Sequence, residues 1–306
     1  MKILVTGGAG FIASHVVDKY IELGHDVVIV DNLSTGYLKN VNDKAKLYVE
    51  DICNYNLRNI IEEEQPDIVN HHAAQISVPV SVKDPLHDAE VNIKGTLNLL
   101  ENCVNFKIKK VIFISSGGAI YGEADEYPTT ENYLPRPLSP YAVNKYTTEL
   151  YLHYYFKSFG LKFTTLRYAN VYGPRQVPHG EAGVISIFKN KYLKNERPTL
   201  FAFPENPDGM IRDYVFVKDV VNANVLALDK GDNDAFNIGS GIETTTGELL
   251  REISTQMGVN YDPYFAAPRP GDIRRSCLNT DKAKQILNWS PTVSLPEGIK
   301  MTVKIL

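Results

Sequence analysis

The first fifteen residues constrain the fold more than any other stretch: KILV runs directly into TGGAGFIASH. Lys2 to Val5 reads as a short buried strand. Gly7 and Gly10 follow with G-x-x-G spacing, and Ala13 stands where a third glycine could sit. A glycine cluster alone predicts only a tight strand-to-helix turn. Placed after a first strand and at the start of a helix, it predicts backbone amides free to approach a pyrophosphate, with the helix N-terminus adding positive charge. About twenty residues on, Asp31 ends the next strand, where a carboxylate can accept hydrogen bonds from an adenosine ribose. It would repel a 2′-phosphate, and DNLSTG offers no arginine to hold one. The combination reads as a site for NAD in preference to NADP.

Strand-sized apolar runs continue at Asp26 to Val30, Lys46 to Val49, Asp67 to Asn70 and Lys110 to Ser115, separated by helical patterns such as FIASHVVDKYIELG and DAEVNIKGTLNLLENCVNF. Alternating strand and helix predict a parallel sheet covered on both faces, because parallel crossovers need helices. The fold class is therefore α/β, a Rossmann-type doubly wound parallel sheet. From about Val171 the pattern loosens into Pro-rich segments, RPTLFAFPENPDG and YFAAPRPGD. Residues 1–170 are expected to form the NAD-binding domain, which also receives later segments, and 171–306 a smaller C-terminal α/β lobe for the substrate. At 306 residues the chain can bury a substantial core, and a net charge of −4 gives no reason to expect a nucleic-acid or membrane partner. Cys53, Cys103 and Cys277 are few, odd in number and widely spaced, which fits a reducing, cytoplasmic setting. No signal peptide is read in MKILVTGG, and VVIV and VIFI are too short to span a membrane.

The stretch PLSPYAVNKYTTELYLHYY carries the chemistry. Ser-Pro is a favourable helix start, and Tyr141 and Lys145, four residues apart, share one helix face. A free phenol has a pKa of about 10, and a nearby ammonium or a nicotinamide cation would lower it. Such a pair is common on solvated helix faces. Joined to an NAD fold and a serine-bearing strand end, FISSGG, it reads as a phenol prepared to lose a proton.

TGGAGFIAS, the YAVNK spacing and RYANVYGPRQ resemble the extended short-chain dehydrogenase/reductase family over essentially the whole chain. RDYVFVKDV and RPGD are similar to its nucleotide-sugar members, the NAD-dependent epimerases and dehydratases. The resemblance implies C4 epimerisation of a UDP-hexose through a 4-keto sugar. In it Tyr141 would be the general base, Lys145 its partner, and a strand-end serine would bond the sugar 4-hydroxyl. Phe11 and Ile12 would lie along the pyrophosphate and Asp31, Asn32, Leu33, Ser34, Thr35 and Gly36 around the adenosine. Asp51 and Ile52 would flank the adenine, and Ala73, Ala74, Asn92 and Tyr168 would also line the cofactor. Asn170, Arg212, Arg269, Asp272 and Ser276 would hold the substrate: the arginines its phosphates, Ser276 the space beside the sugar 2-substituent. A small serine there implies room for N-acetylated sugars. The resemblance also implies a homodimer built on a bundle of the long helices.

Related epimerases read Ser-Ser-Ser or Ser-Ser-Thr, then three residues, then Tyr-Gly; this chain reads ISSGGAIYG. Counting from the strand puts the hydroxyl on Ser116, and counting back from Tyr121 puts it on Gly117. An extra residue after the strand would reconcile them, with Ser116 favoured and Ser115 the fallback. Dehydratase and decarboxylase relatives carry an acid just before Tyr-Gly, whereas Gly118, Ala119 and Ile120 stand here, which favours epimerisation. A non-catalytic NAD-binding scaffold would predict a broken Tyr/Lys pair. His71 and His72 are neighbours on a strand, point to opposite faces, and are expected to be structural, with no metal site.

Overall fold

The computed structural model describes residues 1–178, 183–269 and 272–304. The elements run β1 (Lys2–Thr6), α1 (Phe11–Glu22), β2 (Asp26–Val30), β3 (Lys46–Tyr48), α2 (Leu57–Glu64) and β4 (Ile68–His71). Short helices α3 (Val78–Lys83) and α4 (Pro85–Ala89) lead through a π-helical stretch, Glu90–Gly95, into α5 (Thr96–Asn105). Then come β5 (Lys110–Ser116), α6 (Gly117–Ile120), α7 (Pro140–Phe159) and β6 (Lys162–Tyr168). The later chain forms β7 (Asn170–Tyr172), α8 (Val184–Leu193), β8 (Thr199–Phe201), β9 (Ile211–Phe216), α9 (Val217–Ala227) and β10 (Asp234–Ile238). It ends with β11 (Glu243–Thr245), α10 (Thr246–Met257), β12 (Tyr264–Ala266) and α11 (Leu295–Val303).

Seven parallel strands form one sheet in the order β10-β6-β5-β4-β1-β2-β3. Strands apolar on both faces require two covers. On one face Val16, Val17 and Tyr20 of α1 meet Val220, Ala223 and Ala227 of α9; on the other, residues of α2, α5 and α7 pack on Val69, Val111 and Phe113. Strand order reverses between β1 and β4, so a crevice opens beyond their carboxyl ends, the usual ligand site of such sheets. Smaller sheets, β11-β9-β7 and β12-β8, pack with α8, α10 and α11 around Tyr172, Phe188, Leu200 and Phe216.

Two features depart from the sequence reading. The helix read through DAEVNIKGTLNLLENCVNF is broken at Glu90–Gly95, where the carbonyl of Asn92 accepts from both Thr96 and Thr148. A cross-helix acceptor of this kind favours a local π-bulge, a feature common at functional sites. β6 and β10 escape the apolar-run reading, because KFTTLRY and DAFNI carry buried polar residues: Thr164, Thr165, Arg167 and Asn237. The chain after Val171 returns through α9 and β10 to the large sheet.

Candidate active site

The glycine turn is shaped by the chain that passes behind it. Gly7 has φ +70, and a Cβ there would lie 2.8 Å from the backbone N of Ala73, so both conformation and space require glycine. Gly10 caps α1, its N–H donates to the Gly7 carbonyl, and a side chain there would meet that oxygen alone within 4 Å. The turn's outer side is therefore open beside the first amides of α1, those of Phe11 and Ile12. Their side chains point into the protein, Phe11 toward the Tyr172 cluster and Ile12 against the α1–α9 core.

Asp31 binds this turn to the next loop: its Oδ2 accepts from Ala9 N (2.9 Å) and its Oδ1 from Leu33 N (2.8 Å). Leu33 has φ +58, Ser34 N donates to Asn32 Oδ1, Thr35 is exposed, and a Cβ on Gly36 would lie 2.9 Å from Asp31 Oδ1. Asn32 Nδ2 reaches Asp51 Oδ2 at 2.7 Å, joining the ends of β2 and β3. Burial would raise the Asp51 carboxyl, but the Cys53 amide and Asn32 outweigh it and hold it below the usual range. Ile52 is buried against Gly95. An open turn of backbone amides beside an acid-bearing loop fits a dinucleotide.

On the β4 side, Ala73 N donates to Thr6 Oγ1 and Ala74 is half-buried. Asn92 holds this loop: its Oδ1 accepts from Gln75 N, and its Nδ2 donates to Gln75 O and Asp88 Oδ1. Tyr168 is placed differently from the sequence expectation. Its phenol accepts from Asn224 (2.6 Å) inside the α1–α9 core, so its side chain serves the core and does not line the crevice. The reason is strand alternation: Leu166 and Tyr168 share one face of β6, and Arg167 takes the other.

Tyr141 and Lys145 occupy the first turns of α7, whose start is fixed by Ser139, accepting from Ala142 N, and by Pro140. Ser116, the last residue of β5, sits beside the Tyr141 phenol, close enough to favour its deprotonated form. Ser115 points to the opposite face and donates to buried Glu149 at 2.6 Å. No extra residue loosens this corner, because α6 begins at Gly117 directly after β5. A Cβ on Gly117 would lie 2.6 Å from Leu278 Cδ1, so no side chain fits there.

Lys145 Nζ donates to the Ile114 carbonyl at 3.0 Å and lies 6.0 Å from the Tyr141 ring centre. The protein alone does not depress the phenol. Burial pushes Tyr141 up to about 12 against the influence of Ser116, and burial brings Lys145 down to about 8 against Asp88 and Glu149. The expected lowering of the phenol is thus absent without a further positive charge. Ser116→Ala is expected to lower kcat roughly 10²-fold with unchanged stability, as loss of a bond to a reacting hydroxyl does. Ser115→Ala is expected to lower stability by about 1.5–3 kcal/mol, the range for a bond to a charged group, with a smaller effect on kcat. Paired kinetics and urea melts check both, and the reverse ranking would move the role to Ser115.

Across the crevice, Asn170 opens β7; its Nδ2 donates to Asp213 O and lies 4.0 Å from a Cβ built on Gly118. Arg212 on β9 is half-buried, donates to Ile211 O, and has no ion pair among the described residues; burial lowers its pKa. Arg269 is close enough to repel it. Asp272 fixes Arg269 by accepting from its backbone N (2.8 Å) and its Nε (3.2 Å), while the guanidinium lies over Phe201. Ser276 is buried, tied by its N–H to the Ile211 carbonyl one residue before Arg212. Two guanidiniums brought together suit a diphosphate.

The sequence reading did not single out the buried groups beneath this site. Arg167 Nη2 meets Glu149 Oε2 at 2.6 Å, Arg167 Nη1 donates to Tyr121, and Tyr121 donates to Asn237. Asp88 is completely buried. On helices such acids look like solvated surface, and only the four-residue step from Lys145 to Glu149 hints otherwise. His71 is structural, both ring nitrogens being engaged by Thr6 and Thr96. Among the described residues no group of three or more potential ligands could hold a metal, and no helix is long and apolar enough to cross a membrane.

Comparison with known proteins agrees with this architecture. A UDP-glucose 4-epimerase from Thermotoga maritima, solved with UDP-glucose, is 50% identical with a TM-score of 0.96, over 99% of this chain and 97% of that one. The Thermus thermophilus UDP-glucose 4-epimerase, solved in complex with NAD, is 45% identical with a TM-score of 0.94, over 99% and 98%. A putative UDP-glucose 4-epimerase of Methanocaldococcus jannaschii is 46% identical over 98% of this chain and 97% of its own length. Residues 3–239 match the NAD dependent epimerase/dehydratase family, and the chain belongs to it.

Proposed function

We propose that this protein inverts carbon 4 of a UDP-hexose, with NAD held as a resident cofactor. The observation that carries the reading is the meeting of Ser116 and Tyr141 at the end of β5, with buried Lys145 one turn along α7. When bound, NAD would supply a hydride acceptor for C4 and, in its reduced form, a hydride donor. Gly7, Gly10 and the first amides of α1 would hold its pyrophosphate, Asp31 its adenosine ribose, and Lys145 its nicotinamide ribose. Tyr141, as phenolate, takes the 4-hydroxyl proton, with Ser116 orienting that hydroxyl. Arg212 and Arg269 anchor the diphosphate, so binding energy acts away from the reacting carbon and leaves the 4-keto sugar free to turn. A 4,6-dehydratase needs a further acid or base, and Gly118, Ala119 and Ile120 supply none.

Incubating the purified protein with UDP-galactose, UDP-N-acetylgalactosamine and UDP-glucuronate, without added cofactor, tests the proposal. C4 epimers are expected; a 4-keto-6-deoxy or decarboxylated product would overturn it. The small Ser276 leaves room beside the sugar 2-substituent, so N-acetylated sugars are expected to turn over alongside UDP-galactose. Ser276→Tyr is expected to cut kcat/KM for the acetylated sugar selectively, and unchanged preference would remove Ser276 from the specificity site.

Exposed Val80, Val82 and Leu86 on α3 and α4, with Val143, Leu150 and Tyr154 on α7, support pairing of two copies through these helices. Light scattering should then give twice the 34.3 kDa chain mass; a monomer at micromolar concentration would contradict the pairing.

A further inference from the structure

Asp88, on α4, has no exposed surface. Its carboxylate is held by three neutral amides. Gln75 Nε2 (2.5 Å) and Asn92 Nδ2 (3.1 Å) donate to Oδ1, and Asn144 Nδ2 (2.6 Å) donates to Oδ2. No lysine or arginine pairs with it among the described residues. Glu149 differs, since Arg167 neutralises it in a direct ion pair. A buried charge without a direct ion pair acts on its surroundings more strongly than one in water, because the low local dielectric screens it less.

Its surroundings are the reacting groups. Asn144 lies on α7 between Tyr141 and Lys145, and both of those residues feel Asp88. The charge supports the Lys145 ammonium and opposes a Tyr141 phenolate. Lys145 is also faced by Glu149 on its own helix, while His71 and His72 near the end of β4 are kept neutral, first by burial and then by Lys145.

We infer that Asp88 is a positioning residue that makes the protonation of Tyr141 follow the charge of the nicotinamide. The inference rests on the reading of Tyr141 as general base and NAD as cofactor. In the oxidative half-reaction the sugar's O–H and C4–H bonds break, C4=O forms, the phenolate oxygen gains the proton, and the hydride leaves to the cofactor. With a cationic ring bound, Asp88 would be balanced and Tyr141 could stand as the phenolate. With that ring neutral, Asp88 would favour the protonated phenol, which is the form needed to return the proton. Asp88 thereby opposes a phenolate whenever no oxidised ring is present.

The test is a redox titration of the holoprotein, followed by nicotinamide absorbance, with pH profiles of kcat. Asp88→Asn removes a charge that favours the oxidised, cationic ring. The oxidised-to-reduced equilibrium is expected to move at least tenfold toward the reduced form, about 30 mV upward for a two-electron couple. Both limbs of the pH profile are expected to move to lower pH. The phenol loses a neighbour that raises its pKa, and Lys145 loses one that supports its charge. Asn144→Asp, added to Asp88→Asn, returns the charge across the same hydrogen bond and is expected to restore potential and profile.

A folded Asp88→Asn protein with unchanged potential and pH limbs overturns the inference, as does a double variant that folds and restores neither. If Asp88→Asn does not fold, Asp88→Leu/Asn144→Leu removes the charge with its donor and is held to the same outcomes. Failure of the underlying reading looks different: wild type without bound NAD, or a Tyr141→Phe variant that still turns over.

Discussion

Tyr141→Phe is expected to lower kcat for C4 epimerisation by about 10³-fold, within the range for loss of a general base, while NAD still copurifies. The fold should survive. The ring keeps its packing, and the lost hydroxyl lies beside Ser116 at the end of β5. The expected loss is large because nothing nearby can substitute: Ser116 is a far weaker base, and Lys145 is an ammonium donating to Ile114. The phenol at about 12 without a ligand also makes its deprotonation depend on positive charge brought to the pocket. Near-normal turnover by a folded Tyr141→Phe protein would remove it from the base role.

The largest expected stability effect lies one layer below. Glu149 and Arg167 are both 8% exposed, and the guanidinium meets the carboxylate through Nε and Nη2. Glu149→Ala would leave the Arg167 guanidinium buried and unpaired, at a cost of about 3–5 kcal/mol in a urea melt. Removing both charges, in Glu149→Leu/Arg167→Leu, should recover most of that loss, because neither ion is then left alone. A single variant as stable as wild type would mean that water reaches Arg167 and that the pair is not a sealed foundation. The same layer ties Ser115, the residue before Ser116, to α7, so kcat should fall with stability in the single variant.

Much of this was legible in the chain itself. Gly7, Asp31 and the Tyr141–Lys145 spacing could be read because each answers a local demand: a positive φ, a strand-end carboxylate, one helical turn. The serine register was ambiguous because two ways of counting disagreed. The structure separates the residues by direction, Ser115 toward Glu149 and Ser116 toward Tyr141. Sequence alone does not show the direction of Tyr168, because RYAN reads as one stretch, whereas neighbouring strand residues face opposite sides of the sheet. Asp88, Glu149 and Arg167 were invisible for a different reason. Their burial depends on partners brought from β6, α4 and the loop after β4, and beyond the four-residue step from Lys145 to Glu149 no local pattern distinguishes such acids from a solvated helix face. The direction of the Tyr141 shift escaped likewise: spacing records the neighbouring lysine but not the desolvation that outweighs it.

The central claim, that hydrogen leaves C4 and returns to the same carbon within one closed site, is tested most directly with UDP-galactose deuterated at C4. The protein, given no external cofactor, should convert it to UDP-glucose carrying the deuterium still at C4, with no solvent hydrogen there. Loss of the label to solvent, or its appearance at C6 of a deoxy sugar, would contradict the account.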